Sequence, residues 1–482
     1  MQTSQLELHN VNLHVLSPIH IGTDQELDPF SYVIMDNNLL LIDLIKWIEN
    51  YPEQEDLHSV MDSDNFADIR SFIAEKIDPE SVTLGRIKIE SSGLVKTYNR
   101  VIKTKDSRNQ LLINGMTRNE VSQVSYIPGS SIKGAIRTAI ANHFVKAAGV
   151  TSKDKRNYSE KIFGRINMDP MRNLKLSDVS LDNFGSMIIE AEEFSLKEDK
   201  SKTPKGYKEV SMNLCQGSHP VVYPLRLSLK PFPLHGQDVN ISFLIDALYR
   251  FYVSKYKDEY SKFYCLDHAD QIRKDIAPMS LAIANLKTNE TLVRIGHFAH
   301  VECVTLDKVR EPKTRMVNGR RMPYGTTRTL ANGIYPFGWA KLEFIDLKSE
   351  DRETEDWPFT IQEIESYVQA KEMAEQKSQK AAKAAEARRK KEEKKRQEEE
   401  KRKAELEAMS PEERNIAEIG DSSVLESRVV DIYKKIDEFS EENRNTLALA
   451  LKKYWQISGK WEKGSKKQRL KVKKIKGILG EL

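Results

Sequence analysis

Apolar residues at every fourth position mark one helix in the first third of the chain. Four of them share one face of that helix: Ile132, Ile136, Ile140 and Phe144. Pro128 and Gly129 precede the stripe and are typical of a tight turn. Ser130 follows at a position where a side chain can cap the first helical turn. The pattern predicts a turn and then a helix that ends near Gly149.

Alternating apolar and polar residues predict strands on both sides of this helix. The first strand, residues 6–16, changes parity once, which predicts a β-bulge near His9. Further strands are predicted at 30–35 and 39–42 (a hairpin), 86–90, 95–105 (a basic ribbon), 111–113, 187–190, 209–213 and 223–228. Helices are predicted at 44–50, within an acidic insertion at 53–80, at 243–256 and at 260–276. Strands interleaved with helices indicate an α+β protein with a ferredoxin-like, or RRM-like, core that carries insertions.

The C-terminal quarter has a different composition. Residues 370–407 are rich in Ala, Glu, Lys, Arg and Gln and carry scarcely any large apolar side chain. High helix propensity without an apolar heptad predicts a single solvated helix that acts as a spacer. Ser410 and Glu413 form a capping signature for a new helix. Residues 424–454 then predict amphipathic helices, so the tail is expected to be a small α-helical domain.

Length and composition restrict the class of protein. A chain of 482 residues is too long for one core. We expect an N-terminal ferredoxin-like domain with a basic hairpin insertion, a second α+β region, a charged helical linker and a basic helical tail, at residues 1–185, 186–350, 351–409 and 410–482. No apolar run is long enough to span a bilayer, and the N-terminus does not read as a signal peptide. Three widely spaced cysteines form neither a disulfide framework nor a zinc site, so a cytoplasmic protein is expected.

Charge is distributed unevenly along the chain. The net charge of +4 hides a basic segment at 86–137, with ten Lys or Arg against three acids, and a similar bias at 294–328. Residues 452–476 carry eleven Lys or Arg against one acid, with Trp455 and Trp461 among them. Such patches are typical of a polyanion partner, although each alone is also compatible with an ordinary solvated surface. The two tryptophans would either contact RNA or form the core of a helical bundle.

The predicted turn and helix also offer a candidate anion site. The first backbone amides of a helix lack intrahelical partners. Lys133 and Arg137 add two cations four residues apart, and Gly134 allows another backbone to come close. This combination suits a phosphodiester backbone, and the alternative is a capped helix that packs into the core. A phosphate-loop NTPase is excluded because Ala135 and Ile136 stand where Lys and Ser or Thr are needed. A penicillin-binding enzyme is disfavoured because no Lys-Thr-Gly occurs.

Two motifs carry a resemblance to a known family. Residues 127–137, IPGSSIKGAIR, resemble the PGSSLKGxxR segment of the RAMP superfamily of CRISPR RNA-binding proteins. Residues 16–22, LSPIHIG, are similar to the PxHIG segment that opens the same proteins. Within this family, the length and the C-terminal motifs resemble the subunit that caps the filament of a type III-A effector complex near the 3′ end of its guide RNA. The resemblance covers roughly residues 5–345.

The resemblance implies a non-catalytic RNA-binding subunit. Its partners would be guide RNA, the other subunits and, indirectly, target RNA, and it would support guide maturation and antiviral defence. No membrane partner and no cofactor are implied. Residues 95–105 would correspond to a β-hairpin "thumb", and Asp178, in a segment similar to the family's LxxSDxx strand, would be a structural anchor. Gly296 is alone where related proteins carry a glycine-rich loop, although His297 or Phe298 could stack on a base.

The predicted RNA contacts come from both motifs and from the C-terminal segments, where residues 310–315 and 336–342 resemble the family's PKTR…PxGW ending. They are His20, Gly22, Ser130, Ser131, Lys133, Gly134, Arg137, Arg294, His297, Phe298, Lys313 and Arg315. Arg328 is a further candidate phosphate contact. No catalytic or metal-ligating cluster is predicted. The alternative is a RAMP endoribonuclease that processes guide RNA or cleaves target RNA, with Asp24 or Asp28 as its acid.

Overall fold

A computed structural model of the chain describes residues 5–481 except 63–64, 106–110, 182–184, 199–202, 212–220, 310–313, 318–319, 324, 354 and 421–423. The chain divides into two compact units, Met1–Glu375 and Gln376–Leu482. The first unit contains the sheets, and the second unit is helical. Among the described residues, no helix has the length and apolarity that crossing a membrane requires.

The described strands all lie in the first unit. They are β1 (Glu7–Val15), β2 (Gly22–Leu27), β3 (Tyr32–Met35), β4 (Asn38–Ile42), β5 (Thr83–Ile89), β6 (Ile113–Met116), β7 (Tyr126–Ile127), β8 (Leu174–Leu176), β9 (Val179–Ser180), β10 (Ser186–Ser195), β11 (Thr203–Ser211), β12 (Val221–Leu229), β13 (Phe232–Leu234), β14 (Gln237–Val239), β15 (Glu290–Arg294), β16 (Thr314–Val317), β17 (Arg320–Pro323), β18 (Thr327–Ala331), β19 (Tyr335–Pro336) and β20 (Trp339–Phe344).

The described α-helices continue through both units. They are α1 (Leu44–Asn50), α2 (Gln54–Met61), α3 (Phe66–Lys76), α4 (Pro79–Val82), α5 (Ser92–Thr104), α6 (Gly129–Phe144), α7 (Tyr158–Phe163), α8 (Ile241–Glu259), α9 (Asp270–Ala284), α10 (His300–Val304), α11 (Ile361–Ala408), α12 (Pro411–Ile419), α13 (Glu426–Lys434), α14 (Glu441–Ile457) and α15 (Lys466–Ile478).

The first sheet has the strand order β15-β20-β1-β12-β8, and all neighbouring strands are antiparallel. Helices α6 and α8 contact each other and pack on strands of this sheet. Their apolar faces and the inward residues of β1 belong to one large core. The predicted stripe of α6, from Ile132 to Phe144, is fully buried in that core.

Strand β1 contains no bulge, which corrects the prediction near His9. It pairs with β12 in one unbroken register from Glu7 to Val15. The apolar residues change parity because Leu6 and Leu8 point away from the core, and Leu8 is 73% exposed. Two surface leucines therefore produced the apparent slip of alternation.

The second sheet has the order β2-β6-β11-β10-β5-β4-β3, and β18 also pairs with β10. The predicted hairpin is present as β3 and β4, and its turn has positive φ angles at Asp36 and Asn37. Asp43 caps α1, since its Oδ1 accepts a 3.0 Å hydrogen bond from the amide of Lys46. The acidic insertion forms helices α2 to α4, as its composition indicated.

The basic ribbon predicted at 95–105 was wrong, because this segment lies in helix α5. The Oγ of Ser91 accepts a 3.2 Å hydrogen bond from the amide of Leu94 and caps the helix. Leu94, Tyr98 and Val101 are buried at helical spacing, and the basic side chains occupy the opposite face. A helix cannot be the thumb hairpin that the resemblance suggested at this place.

The second unit has its own apolar core, built from helices α12 to α15. The capping box predicted at its start is present, since Ser410 and Glu413 bond to each other's backbone amides. The charged helix is present as α11, with exposed ion pairs four residues apart between Lys390 and Glu386 and between Arg396 and Glu400.

Candidate nucleic-acid interface

The start of helix α6 is already occupied by a carboxylate. The amide of Gly129 donates a 2.8 Å hydrogen bond to Oδ1 of Asp178. A Cβ at Gly129 would lie 2.6 Å from the carbonyl oxygen of Leu176, so only glycine lets the two segments approach this closely. Ser130 lies inside the helix and does not cap it. Asp178 therefore serves as the anchor that the resemblance implied, and the helix end is less open than the sequence indicated.

The two cations of α6 bind other parts of the chain. Lys133 donates a 2.7 Å hydrogen bond from Nζ to the carbonyl of Leu174, and burial lowers its pKa. Arg137 pairs with Asp169 at 2.7 Å and lies over the ring of Phe163, 4.0 Å from its centroid. Both cations tie the following segment to the helix. Their contact with phosphate stays a prediction.

One cavity gathers residues from three distant parts of the sequence. Its volume is about 440 Å³. Its walls include Ile21 and Gly22 after the first strand, Ser131, Gly134, Ala135 and Thr138 on α6, and Arg294, Ile295, Gly296, His297, Ala299, Cys303 and Val304 around β15 and α10. Five of the predicted RNA contacts thus surround one space, and the two resemblance motifs meet there.

The first motif and the lone glycine are joined by backbone contacts. The carbonyl of His20 accepts a 2.9 Å hydrogen bond from the amide of His297. Gly296 has a φ of +92°, and a Cβ there would lie 2.5 Å from that carbonyl oxygen. Glycine is needed at this position because the backbone of His20 comes close to it. The backbone that packs against Gly296 is therefore that of the protein.

His20 is a buried structural residue, which corrects its prediction as an RNA contact. Only 4% of it is exposed, and its Nδ1 lies 2.7 Å from the carbonyl oxygen of Glu209. Burial lowers the pKa of His20 to about 4, so the ring is neutral near pH 7. His20 holds the wall of the cavity without facing it.

The exposed cavity wall is formed mainly by small residues. Gly22 and Gly134 are exposed, and a Cβ at Gly134 would meet no atom within 4 Å. Ser131 and Thr138 add hydroxyl groups from the same helix. His297 is exposed beside them, whereas the ring of Phe298 packs on Phe337 at 4.7 Å. This surface admits a backbone and offers hydroxyl and imidazole groups to it.

Arg294 and Arg328 are buried, which corrects their prediction as phosphate contacts. Each has a side chain less than 5% exposed, and both pair with the buried carboxylate of Glu259, at 2.5 and 3.0 Å. Arg294 also donates to the carbonyl of Phe337 at 2.9 Å. Burial alone would raise the pKa of Glu259, but the two guanidinium groups outweigh that effect and hold it well below its usual range. This buried charged cluster fixes Arg294, which lines the cavity.

Two predicted contacts remain, Lys313 and Arg315. Lys313 lies outside the described residues. Arg315 is part of β16 and stands opposite Met322 of β17 in an antiparallel ribbon.

Sequence reasoning missed two buried residues, of which Tyr252 lines the cavity and Glu209 contacts the ring of His20. Glu209 accepts hydrogen bonds of 2.7 to 2.8 Å from the amide of Met116 and from the hydroxyls of Ser125 and Ser186, and it also pairs with Arg118. Tyr252 donates a 3.1 Å hydrogen bond to the carbonyl of Ala135 on α6. No local pattern marks either residue, because their partners lie far away in the sequence.

The two aspartates weighed for catalysis lie in different local structures. Asp28 accepts a 2.9 Å hydrogen bond from the amide of Phe30 and stabilises a turn. Asp24 lies in strand β2 and not in a loop. Within the described part of the chain, no group of three or more His, Cys, Asp or Glu side chains is placed to hold a metal ion.

The fold and this cavity define an α+β protein with a small-residue cleft between a helix start and a glycine-containing loop. The model of the RAMP superfamily matches residues 12–465, so the chain belongs to that superfamily, as its two motifs predicted. A curated relative, the CRISPR system Cms protein Csm5 of Methanocaldococcus jannaschii, is 32% identical over 141 residues. That match covers 28% of this chain and only 31% of the relative.

Two solved structures are similar at lower identity. A chain of the Csm–crRNA–target RNA ternary complex of a type III-A CRISPR-Cas system matches with a TM-score of 0.48 and 18% identity, over 70% of this chain and 100% of that one. Csm5 of T. onnurineus matches with a TM-score of 0.45 and 18% identity, over 68% of this chain and 99% of that one.

Proposed function

We propose that this chain is a guide-RNA-binding subunit of a type III-A CRISPR effector complex. It caps the filament of RAMP subunits near the 3′ end of the guide, contacts target RNA only indirectly, and supports guide maturation and antiviral defence in the cytoplasm. Membership of the RAMP superfamily supports the RNA-binding class. The partial match to a relative named as a CRISPR system protein supports the assignment to this defence system.

The observation that carries the proposal is the meeting of two sequence motifs around one cavity. Gly22 from the first motif and Ser131 and Gly134 from the second line the same space of about 440 Å³. RNA backbone contacts use hydroxyl groups, amides and close approach to small residues, and they tolerate any base sequence. A guide whose sequence varies from one complex to the next needs such a surface.

We also propose that the first sheet is a ferredoxin-like arrangement. In chain order, β1, α6, β8, β12, α8 and β20 read as β-α-β-β-α-β. Strand β1 lies between β12 and β20, and β15 is an addition at the edge. The RNA cleft then lies at the end of β1, where α6 begins.

The test of the cavity is a bulky substitution at Gly134. A leucine there would extend into space that no other atom occupies within 4 Å, so it should fill the cavity without disturbing the fold. Gly93→Leu is the matched control, because Gly93 is also an exposed glycine near the start of a helix and does not line the cavity. We expect Gly134→Leu to weaken binding of a labelled guide RNA at least tenfold in fluorescence anisotropy. An unchanged Kd would contradict the proposed site.

We propose that the chain binds RNA without cutting it. The two aspartates considered for a nuclease are separated into a turn and a strand. Incubation of the chain with repeat RNA and with guided target RNA should leave both intact. Cleavage that is lost in Asp24→Ala or Asp28→Ala would instead support the endoribonuclease alternative.

A further inference from the structure

The charges of the second unit are segregated along its sequence. Residues 411–444 carry ten acids against five Lys or Arg, whereas residues 452–476 carry eleven Lys or Arg against one acid. The acids are concentrated in α12 and in residues 437–442, whereas the end of α14 together with α15 is strongly basic. An ordinary solvated surface mixes acidic and basic side chains, so the concentration of basic residues at 452–476 needs a separate explanation.

Helix α15 arranges its cations in one stripe. Val472 and Ile475 are buried in the core of the unit, and the opposite face is exposed. Four cations at a spacing of three, four and three residues lie along one flank of the helix, beside its buried face: Lys466, Arg469, Lys473 and Lys476. At 1.5 Å per residue, the stripe is about 15 Å long.

Some cations of the second unit pair with carboxylates of the same unit. Lys460 pairs with Glu426, and Lys474 pairs with Asp437. Among the residues that the structure describes, no carboxylate pairs with any of the four stripe cations. Their charge is therefore available to a polyanion, which gains affinity by releasing counterions when each phosphate is neutralised.

An aromatic ring lies at the end of the stripe. Trp455 is buried in the core against Tyr433, but Trp461 is only half-buried. The Nζ atoms of Lys476 and Lys452 lie 5.9 and 5.8 Å from the centroid of the Trp461 ring. Cations combined with an accessible aromatic ring are typical of surfaces that bind single-stranded nucleic acid by phosphate contact and base stacking.

An anionic membrane fits this surface less well. Membrane-surface helices bury an apolar face in the lipid boundary. The apolar face of α15 is already used in the core of the unit, and Leu470 is the large apolar side chain that it exposes, at 64%.

We propose that the α15 stripe and Trp461 form a second interface, which binds single-stranded RNA without sequence preference. This interface is built by the second unit alone and does not depend on the cavity of the first unit. The segregation of charge, the unpaired stripe and the half-exposed ring are explained together by one ligand of this class.

The test removes charge from the stripe in the full chain. The variant carries Lys466→Gln, Arg469→Gln and Lys473→Gln, all at exposed positions. The control carries Lys380→Gln, Lys383→Gln and Arg389→Gln, which remove the same charge from the exposed surface of α11. Binding of a labelled 20-nucleotide oligouridylate is measured by anisotropy over a range of salt concentrations. Each lost single-strand phosphate contact lowers the slope of log K against log salt by about 0.7, so the variant should lose roughly two units.

The control should keep the slope of the unchanged protein. Trp461→Leu, which keeps an apolar side chain but removes the ring, should weaken binding roughly tenfold if a base stacks there. An unaltered slope in the stripe variant would overturn the proposal. The proposal would also be overturned if the stripe variant lost binding to phosphatidylserine vesicles but kept its RNA binding, since the surface would then bind a membrane. The three stripe substitutions should lower the slope by the same amount in the Gly134→Leu background. That result would show that this interface acts independently of the cavity.

Discussion

The amide of His297 donates a 2.9 Å hydrogen bond to the carbonyl of His20, and this bond joins two segments that are 277 residues apart in the sequence. It holds the segment after β1 against the loop that follows β15. Gly296 makes the contact possible, because it adopts a φ of +92° and leaves no side chain between the two backbones. The cavity therefore depends on a close backbone contact within the protein.

Gly296→Ala should destabilise the first unit strongly. The added Cβ would lie 2.5 Å from the His20 carbonyl oxygen. Left-handed backbone costs an L residue about 1–2 kcal/mol, and overpacking adds roughly 1–3 kcal/mol. We expect the free energy of unfolding, measured by urea denaturation, to fall by about 2 kcal/mol or more. Gly134→Ala is the control and should raise it by about 0.5–1 kcal/mol, because Gly134 is an open helical position. Equal effects of the two substitutions would contradict this account.

His20 should make stability depend on pH. Its pKa in the folded protein is lowered to about 4, whereas an unfolded histidine titrates near 6.5. The unfolded chain therefore binds more protons between these values, so stability is complete above pH 6.5 and falls as the pH drops toward 4. The loss at pH 4 should be roughly 3 kcal/mol. His20→Gln should remove this part of the pH dependence, and other buried histidines cancel in the comparison. An identical pH profile in both proteins would show that His20 is not buried in its neutral form.

Much of the scaffold of the site could be predicted from the sequence, because local periodicity and capping rules are strong there. The four-residue repeat from Ile132 to Phe144 predicted α6, and Ser410 with Glu413 predicted the start of α12. The order of the two motifs predicted the RAMP superfamily. The division of the chain into four segments stays a prediction.

The errors have a common physical origin in long-range partners. Arg294 looked like a free cation because nothing nearby in the sequence shows that Glu259, 35 residues earlier, will be buried beside it. Residues 95–105 looked like a strand because their basic side chains hid the helical spacing of Leu94, Tyr98 and Val101. Local pattern indicates which element forms more reliably than it indicates which side chain stays exposed.

Glu259→Gln should destabilise the fold by removing the charge that compensates two buried guanidinium groups. Breaking a buried pair in this way costs about 3–5 kcal/mol. Because the pKa of Glu259 is held below its usual range, the contribution of its carboxylate is present above pH 4.5 and is lost as the pH falls below that value. Thermal melting at pH 7 should show the deficit of the variant, and that deficit should shrink as the pH approaches 3. A variant as stable as the unchanged protein at pH 7 would exclude the charged cluster.

Asp178→Ala should weaken the start of α6. Loss of a side-chain acceptor at a helix start costs about 0.5–2 kcal/mol, and the charge of Asp178 also interacts favourably with the positive end of the helix dipole. Asp178→Asn keeps the acceptor for the amide of Gly129 and should lose less. Urea denaturation of both variants checks the order. If the asparagine variant is the less stable one, the 2.8 Å hydrogen bond is not what anchors this segment.

Lys133→Ala combined with Arg137→Ala tests whether these two cations bind the protein itself or RNA phosphates. Two lost contacts with a single strand would lower the slope of log K against log salt by about 1.4. The structure gives Lys133 a carbonyl partner and gives Arg137 the carboxylate of Asp169 and the ring of Phe163. We therefore expect a slope change well below that value, together with a stability loss of roughly 1 kcal/mol, since a half-exposed ion pair is screened by solvent. Lys146→Ala with Lys153→Ala removes two exposed cations near the same helix and should not change the melting temperature. A slope change of about 1.4 without a loss of stability would show that both residues contact RNA phosphates.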